Sequence, residues 1–167
     1  MIRIGQPAPD FKLPSTHDKD ISLSDLKGKY VVLFFYPLDF TPVWSTEVPE
    51  FNNKLKEFEK LNSTVLGVNT DSIPTHKAWI ESLGGIDYPL LADYDKKVTK
   101  DYEVYLDAAG GIALRGTFII DPDGILQYYS VNNTDVGRNV NEILRVLQAL
   151  QTKGACPVNW EEGQDTL

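Results

Sequence analysis

Residues 37–44, PLDFTPVW, follow the apolar run YVVLFFY and have the residue types of a reactive loop that opens a helix. Thr41 is a suitable N-cap and Pro42 suits the first helical position, so Trp44 falls inside the first turn. Unpaired backbone N–H groups and the positive end of the helix dipole lie at such a turn, where a thiol has a lowered pKa and is largely thiolate. The position therefore suits a nucleophilic cysteine, although its occupant is tryptophan. A turn that does no more than cap a helix accounts for the same residues.

Two charged residues elsewhere in the sequence are candidates for the same site. Arg115 interrupts IALRGTFII, an otherwise apolar strand pattern. A guanidinium fixed there can hold an anion or polarise an oxygen atom, but an arginine that reaches water or pairs with an acid at a strand end fits the pattern equally well. Glu47 lies one turn after Trp44 on the same side of the helix, and it either pairs with Arg115 or only complements the helix dipole.

The chain has one cysteine, Cys156, in the segment GACPVNW. An intrachain disulfide is therefore excluded, and any disulfide must join two molecules. A lone cysteine is most often a small buried hydrophobe, whereas one that precedes proline in an aperiodic segment is suited to disulfide exchange. His17 and His76 have no partners at zinc-ligand spacing, so we expect no metal or other cofactor, and we interpret His76 and Trp79 as packing residues. Ser45 lacks a nucleophile elbow and a histidine partner.

The composition is that of an acidic globular protein. The 167 residues carry a formal net charge of −8, with 42% hydrophobic and 24% charged residues, which fits one domain with a substantial core. The negative charge argues against binding to nucleic acids or anionic membranes. No apolar run approaches the length of a membrane span and no signal peptide is evident, so we expect a cytoplasmic location.

Apolar periodicity and turn residues predict the secondary structure. The predicted elements are a short strand between two turns at 18–29, a buried strand at 30–37, a helix at 42–61, a second buried strand at 63–71, a helix at 73–85, a loop or short strand at 88–93, a helical turn at 96–105, a hairpin at 112–131 and a helix whose apolar stripe runs from 140 to 150. This order favours an α/β fold, with a mixed sheet and helices on both faces. We expect one domain over 1–153 and an aperiodic tail over 154–167. Residues 37–44 would lie at the carboxyl ends of the strands, where α/β proteins form their sites.

Several segments together resemble the peroxiredoxins, in particular their typical two-cysteine, alkyl hydroperoxide reductase-like group. The segment FFYPLDFTPVW stands where the family has Pro-x-x-x-Thr-x-x-Cys. The other segments, in chain order, are GQPAPDF, GVNTDS, HKAW, YPLLAD, RGTFIIDPDG, VGRNVNEILRVLQALQ and ACPVNW. The resemblance covers essentially the whole chain and implies a thioredoxin-like fold.

The resemblance also implies a role for each candidate residue. Pro37 shields the reactive position from solvent, and Thr41 hydrogen-bonds the incoming peroxide. Trp44 occupies the place of the peroxidatic cysteine, beside which Arg115 holds the thiolate and polarises the peroxide. Cys156 is the expected resolving cysteine, which attacks the sulfenic acid of the partner subunit. We expect Glu47 to support this set.

The same resemblance implies the substrate and partners. With cysteine at position 44, the expected substrate is hydrogen peroxide or an organic hydroperoxide. The expected electron donor is a thioredoxin or a flavoprotein disulfide reductase. Homodimers and rings of five dimers are the expected assemblies. Without sulfur at Trp44 the cycle has no nucleophile, so we expect an inactive chain in which tryptophan has recently replaced cysteine, through laboratory substitution or natural loss. We also expect the indole to unwind the first helical turn. The alternative function is a non-catalytic oligomeric holdase or interaction scaffold.

Overall fold

We describe residues 1–167, apart from the side chain of Trp44, from a computed structural model. The strands are β1 (Lys12–Pro14), β2 (Asp20–Ser22), β3 (Tyr30–Phe35), β4 (Ser63–Asn69), β5 (Leu90–Ala92), β6 (Tyr105–Leu106), β7 (Ile112–Ala113), β8 (Arg115–Ile120) and β9 (Leu126–Asn132). The helices are a 3-10 helix (Leu23–Leu26), α1 (Trp44–Asn53), α2 (Leu55–Lys60), α3 (Ile73–Ser82), α4 (Lys97–Asp101) and α5 (Val140–Leu150). Within the described residues, every helix falls short of the length and apolarity that crossing a membrane requires.

The central sheet is mixed, as predicted. In the described part of the chain it has five strands in the order β5-β4-β3-β8-β9. Strands β3, β4 and β5 run parallel, whereas β8 is antiparallel to β3 and to β9. Because β8 runs against β3, its first residue, Arg115, lies at the same edge of the sheet as the carboxyl end of β3. Two distant parts of the sequence therefore meet at this edge.

Strand β3 is buried on both faces because its alternating residues enter two separate cores. Val31, Leu33 and Phe35 face a core that also includes residues of β1, β2 and α4. Val32 and Phe34 face the other core, which is covered by α1, α2, α3 and α5. Helices thus cover both faces, which confirms the predicted layers.

Aromatic packing joins α1 to the sheet beneath it. The rings of Phe34 and Phe51 are stacked with centroids 4.2 Å apart, and Tyr88 meets Phe34 edge-on at 5.9 Å. Gly67 of β4 is required there, since an added Cβ would lie 2.7 Å from Leu90 and 2.8 Å from Phe34. Burial of each such aromatic side chain contributes roughly 1.5–3 kcal/mol.

The single helix predicted over 42–61 is wrong. Residues 42 and 43 form a turn, α1 begins at Trp44, and Lys54 separates α1 from α2 with φ −94° and ψ 0°. The apolar face continues across the separation, because Phe51, Leu55 and Phe58 are all buried. The spacing of apolar residues reports which face is buried and does not report where the backbone hydrogen bonds of a helix are interrupted. The two helices therefore have the sequence pattern of a single helix.

Two further predictions are refined. The predicted hairpin is formed by β8 and β9, but β7 belongs to a separate pair with β6. The predicted tail, 154–167, has no helix or strand, and neither do residues 151–153 before it. It nevertheless packs on α5, because Trp160 is 3% exposed and its carbonyl accepts a 2.8 Å hydrogen bond from Arg145 Nη1.

Candidate active site

A cavity of about 330 Å³ lies at the edge of the sheet where β3 ends and β8 begins. Its lining includes Pro37, Thr41 and Arg115, together with Leu38 and Thr134. Pro37 and Thr41 belong to the loop 36–43, which connects β3 to α1. Arg115 lies near them because β8 is antiparallel to β3. Three candidate residues therefore line one cavity beside the start of α1.

Arg115 is a buried, fixed cation. It is 1% exposed, and its Nη1 donates a 2.7 Å hydrogen bond to Oε2 of Glu47. Its Nε donates to the carbonyl oxygen of Thr134 at 2.8 Å, and Nη2 donates to the same oxygen. The structure thus shows that Glu47 pairs with Arg115. This agrees with the interpretation in which the arginine pairs with an acid at a strand end, and only the interpretation in which it reaches water is wrong. Glu47 reaches the arginine because it lies one turn into α1 on the side that faces the sheet.

A second buried arginine, Arg138, completes this group, and the sequence analysis missed it. Its backbone N–H donates to Glu47 Oε1 at 2.6 Å and its Nη2 to Oε2 at 3.2 Å. The guanidinium also donates to the carbonyl oxygens of Phe35 at 2.6 Å and Gly116 at 2.9 Å. A signal was present in the sequence: Arg138 directly precedes Asn139, the N-cap of α5. A cation there opposes the helix dipole, so it needs another reason to be present.

The group formed by Glu47, Arg115 and Arg138 has a formal charge of +1. Burial acts to raise the pKa of Glu47, but the charge and hydrogen bonds of Arg138, and then the charge of Arg115, outweigh it and hold the pKa below the ordinary value. Burial lowers the pKa of both guanidiniums, and the charge of Glu47 opposes that effect. The carboxylate therefore stays ionised and holds the cations in place. Arg115 presents a positive charge to the adjoining cavity, and Asp135, which lines the same cavity, partly balances it.

The prediction that Thr41 caps the helix is wrong. Val43 is the N-cap residue of α1 and makes no side-chain cap bond. The hydroxyl of Thr41 instead donates to the carbonyl oxygen of Leu38 at 3.3 Å. A hydroxyl whose hydrogen is used in this way still has lone pairs to accept a hydrogen bond. Thr41 can therefore act as an acceptor towards a hydroxyl group in the cavity.

The side chain of Trp44 lies outside the described residues. Its place in the chain is the first residue of α1, next to the loop that lines the cavity. The backbone is helical from Trp44 onward, so the expected unwinding of the first turn is not observed. The expected loss of activity stays a prediction.

Cys156 lies apart from this cavity within the chain. Its half-buried thiol lies 3.4 Å from Thr152 Oγ1 and 3.8 Å from the carbonyl oxygen of Ala149. It lines a different cavity, of about 530 Å³, beside α5. Among residues 1–43 and 45–167, no group of three or more His, Cys, Asp or Glu side chains is arranged to hold a metal ion.

Known proteins resemble this chain over most of its length. The model of the AhpC/TSA family matches residues 4–129. Peroxiredoxin-2 of Macaca fascicularis is 49% identical, over 99% of this chain and 89% of that protein. The mitochondrial thioredoxin-dependent peroxide reductase of Drosophila melanogaster is 48% identical, over 95% of this chain and 73% of that protein.

Among solved structures, the crystal structure of the reduced 2-Cys peroxiredoxin of Plasmodium vivax has a TM-score of 0.91 and 37% sequence identity, covering 99% of this chain and 92% of that one. The mixed sheet and this likeness confirm the expected thioredoxin-like fold. This chain belongs to the AhpC/TSA family, and within it to the typical two-cysteine peroxiredoxins.

Proposed function

We propose that the chain is the scaffold of a thiol peroxidase that reduces hydrogen peroxide and organic hydroperoxides through a cysteine at position 44, and that with Trp44 it is inactive. One observation carries the proposal: Pro37, Thr41 and Arg115 line a single cavity beside the first residue of α1. A thiolate on that residue would have a helix start on one side and the group of Glu47, Arg115 and Arg138 near by.

The chemistry follows from the positions of the donors and acceptors. A thiolate at position 44 attacks the terminal oxygen of the peroxide and the O–O bond breaks. The products are a sulfenic acid and, after uptake of one proton, water or an alcohol. Thr41 accepts a hydrogen bond from the O–H group of the peroxide, while Arg115 stabilises the negative charge that moves from sulfur to the leaving oxygen.

The cycle would close through Cys156 of the partner subunit. Its thiol attacks the sulfenic acid, water leaves, and an intersubunit disulfide forms. A thioredoxin or a flavoprotein disulfide reductase would then supply the two electrons that restore both thiols. The half-buried position of Cys156, outside the cavity of its own chain, suits a role across an interface.

We propose a dimer formed along β9, and rings of such dimers. In the described residues β9 is an edge strand of the central sheet, and its Tyr129 and Val131 are 44% and 41% exposed. An uncovered edge with apolar side chains favours pairing with a second strand.

The test is peroxide consumption in the presence of thioredoxin, thioredoxin reductase and NADPH. We expect no turnover by the chain with Trp44 and steady turnover after Trp44→Cys. The matched control is Trp44→Ser, which removes the indole without supplying sulfur and should stay inactive. Turnover by the serine variant, or none by the cysteine variant, would contradict the proposal.

A further inference from the structure

Asp39, in the middle of the loop that carries Pro37 and Thr41, has a buried carboxylate with several donors. Its Oδ1 accepts hydrogen bonds from the hydroxyl of Tyr36 at 2.9 Å and from Asn69 Nδ2 at 3.0 Å. Its Oδ2 lies 2.6 Å from Nδ1 of His76, and both of these side chains are 0% exposed. Burying a carboxylate is costly unless it is well paired. The three partners of Asp39 offset this cost and hold the loop in place.

His76 and Asp39 share one proton. Nε2 of His76 lies 3.0 Å from the carbonyl oxygen of Leu91. A carbonyl oxygen only accepts, so Nε2 must carry a hydrogen. The 2.6 Å contact between Nδ1 and Oδ2 of Asp39 then needs a hydrogen of its own, bound to one atom or the other. The pair is therefore neutral as a whole and connects the loop firmly to α3.

The backbone of the loop is held by a second acid, Asp71. Oδ2 of Asp71 accepts a 2.7 Å hydrogen bond from the N–H of Asp39. That N–H belongs to the same peptide group as the carbonyl of Leu38, which accepts the hydrogen bond from the Thr41 hydroxyl. Since a trans peptide group is planar and rigid, holding its N–H also sets the direction of its C=O. The orientation of the Thr41 hydroxyl thus depends on Asp71 and Asp39.

The loop needs such support because its backbone is unfavourable at Phe40. This residue has φ 57°, a left-handed conformation that residues other than glycine rarely adopt, and its side chain is 57% exposed. Conformations of this kind persist where surrounding contacts determine them. Phe40 lies between Asp39 and Thr41, so the contacts of Asp39 act directly next to the strained residue.

We propose that Asp39 is a positioning residue for peroxide reduction, which holds the Thr41 hydroxyl ready to accept a hydrogen bond from the substrate. His76 and Asp71 are the fixed points to which it is attached. The inference rests on the proposed function and deepens it. It concerns the orientation of one acceptor and not the reactivity of the thiol.

The test compares two reactions of the same thiol in the Trp44→Cys background. Asp39→Ala should lower the second-order rate constant for hydrogen peroxide by about 10- to 100-fold, because misplaced reacting groups cost this much. The rate constant for alkylation by iodoacetamide, which does not need Thr41, should not change. Asp39→Asn should restore the peroxide rate, because its oxygen can accept from Tyr36 and Asn69 and its amide can donate to neutral His76. Equal losses in both reactions would overturn the inference.

A second pair of variants controls for stability. Asp93 is also buried and accepts hydrogen bonds from Val98 and Thr99 at the start of α4, on the other side of the sheet. Asp93→Ala should leave the peroxide rate unchanged, and a loss equal to that of Asp39→Ala would overturn the inference. If Asp39→Ala does not fold, Asp71→Ala takes its place and should show the same selective loss.

Hydrogen exchange separates this inference from the proposed function. In the chain with Trp44, Asp39→Ala should speed amide exchange at residues 38–41, and Asp93→Ala should not. If the loop responds in this way but Trp44→Cys never consumes peroxide, the proposed function fails while the positioning of the loop stands. If Trp44→Cys is active and Asp39→Ala leaves both the loop and the peroxide rate unchanged, the inference alone fails.

Discussion

Glu47 Oε2 accepts a 2.7 Å hydrogen bond from Arg115 Nη1, joining the first turn of α1 to the start of β8 across 68 positions of the sequence. Both side chains are almost fully buried. The carboxylate also accepts from Arg138, so a single acid holds two cations at the edge of the sheet. The position of Arg115 in the cavity therefore depends on Glu47.

Removal of this acid should be strongly destabilising. Glu47→Ala would leave two buried guanidiniums without their shared counter-ion, and we expect the free energy of unfolding to fall by about 3–5 kcal/mol. Urea denaturation measures the change. The matched control is Glu142→Ala, which removes a partly exposed acid paired with Arg145 and should cost no more than about 1 kcal/mol. Equal losses in the two variants would contradict the prediction.

The contribution of Glu47 to the free energy of unfolding should decrease as the pH is lowered. Burial favours the protonated form of Glu47, but the two arginines outweigh it, so the pKa in the folded chain lies below the ordinary value of 4.5. Its ionised form thus stabilises the fold fully above pH 4.5, and this contribution is lost as the pH falls through the folded-state pKa. The free-energy difference between the chain and Glu47→Gln should therefore be constant near neutrality and shrink below that pH. Urea denaturation at several pH values tests this, and a difference that grows on acidification would refute it.

Thr41 should be needed for its oxygen atom. In the Trp44→Cys background, Thr41→Val keeps the shape of the side chain and removes the acceptor, so we expect the peroxide rate constant to fall roughly 100-fold. Thr41→Ser keeps the hydroxyl and should retain most of the rate. Stopped-flow consumption of hydrogen peroxide distinguishes them. A valine variant as fast as the serine variant would exclude a role for the hydroxyl.

Phe51, on the face of α1 that packs on the sheet, should be a major contributor to stability. It is fully buried and stacked on Phe34, so Phe51→Ala should lower the free energy of unfolding by about 3–5 kcal/mol. The exposed Tyr94 provides the matched control, since Tyr94→Ala should change stability by only about 0.5 kcal/mol. Thermal and urea unfolding measure both, and the prediction fails if the two losses are alike.

The edge of β9 should control assembly. Replacing Tyr129 and Val131 together with lysine would place like charges along the proposed dimer contact, and we expect the dimer to dissociate into monomers. Sedimentation velocity reports the change in mass. Tyr94→Lys is the control, because Tyr94 is also exposed but lies outside β9. A dimer that survives the double substitution would place the contact elsewhere.

The amino-acid sequence was sufficient to predict the mixed α/β fold and the order of its main elements, although one predicted helix is two. It also named Pro37, Thr41 and Arg115 as candidates, and the structure places all three around one cavity. The fold was predictable because it depends on local signals. A continuous apolar run marks the buried strand β3, a turn motif marks the hairpin of β8 and β9, and a charged residue stands out within an apolar strand.

Other features were decided by the tertiary structure alone. The helix α1 begins at Trp44 without a side-chain cap, and the Thr41 hydroxyl bonds to the carbonyl oxygen of Leu38 instead. The burial of Arg138 against Glu47 spans 91 positions, and no local pattern encodes a contact over such a distance.

The contact of His76 with Asp39 is another that local sequence patterns do not predict. The spacing of His76 from Trp79 on one helix suggested packing, and both side chains are indeed buried in the core. Its bond to Asp39 spans 37 positions and exists only because β4 and α3 bring the imidazole under the active-site loop. The sequence thus determines which residues are present and which elements they form. The tertiary structure determines which residues far apart in the chain come into contact. A buried charge is tolerated only where the fold places a counter-ion or hydrogen-bond partner beside it.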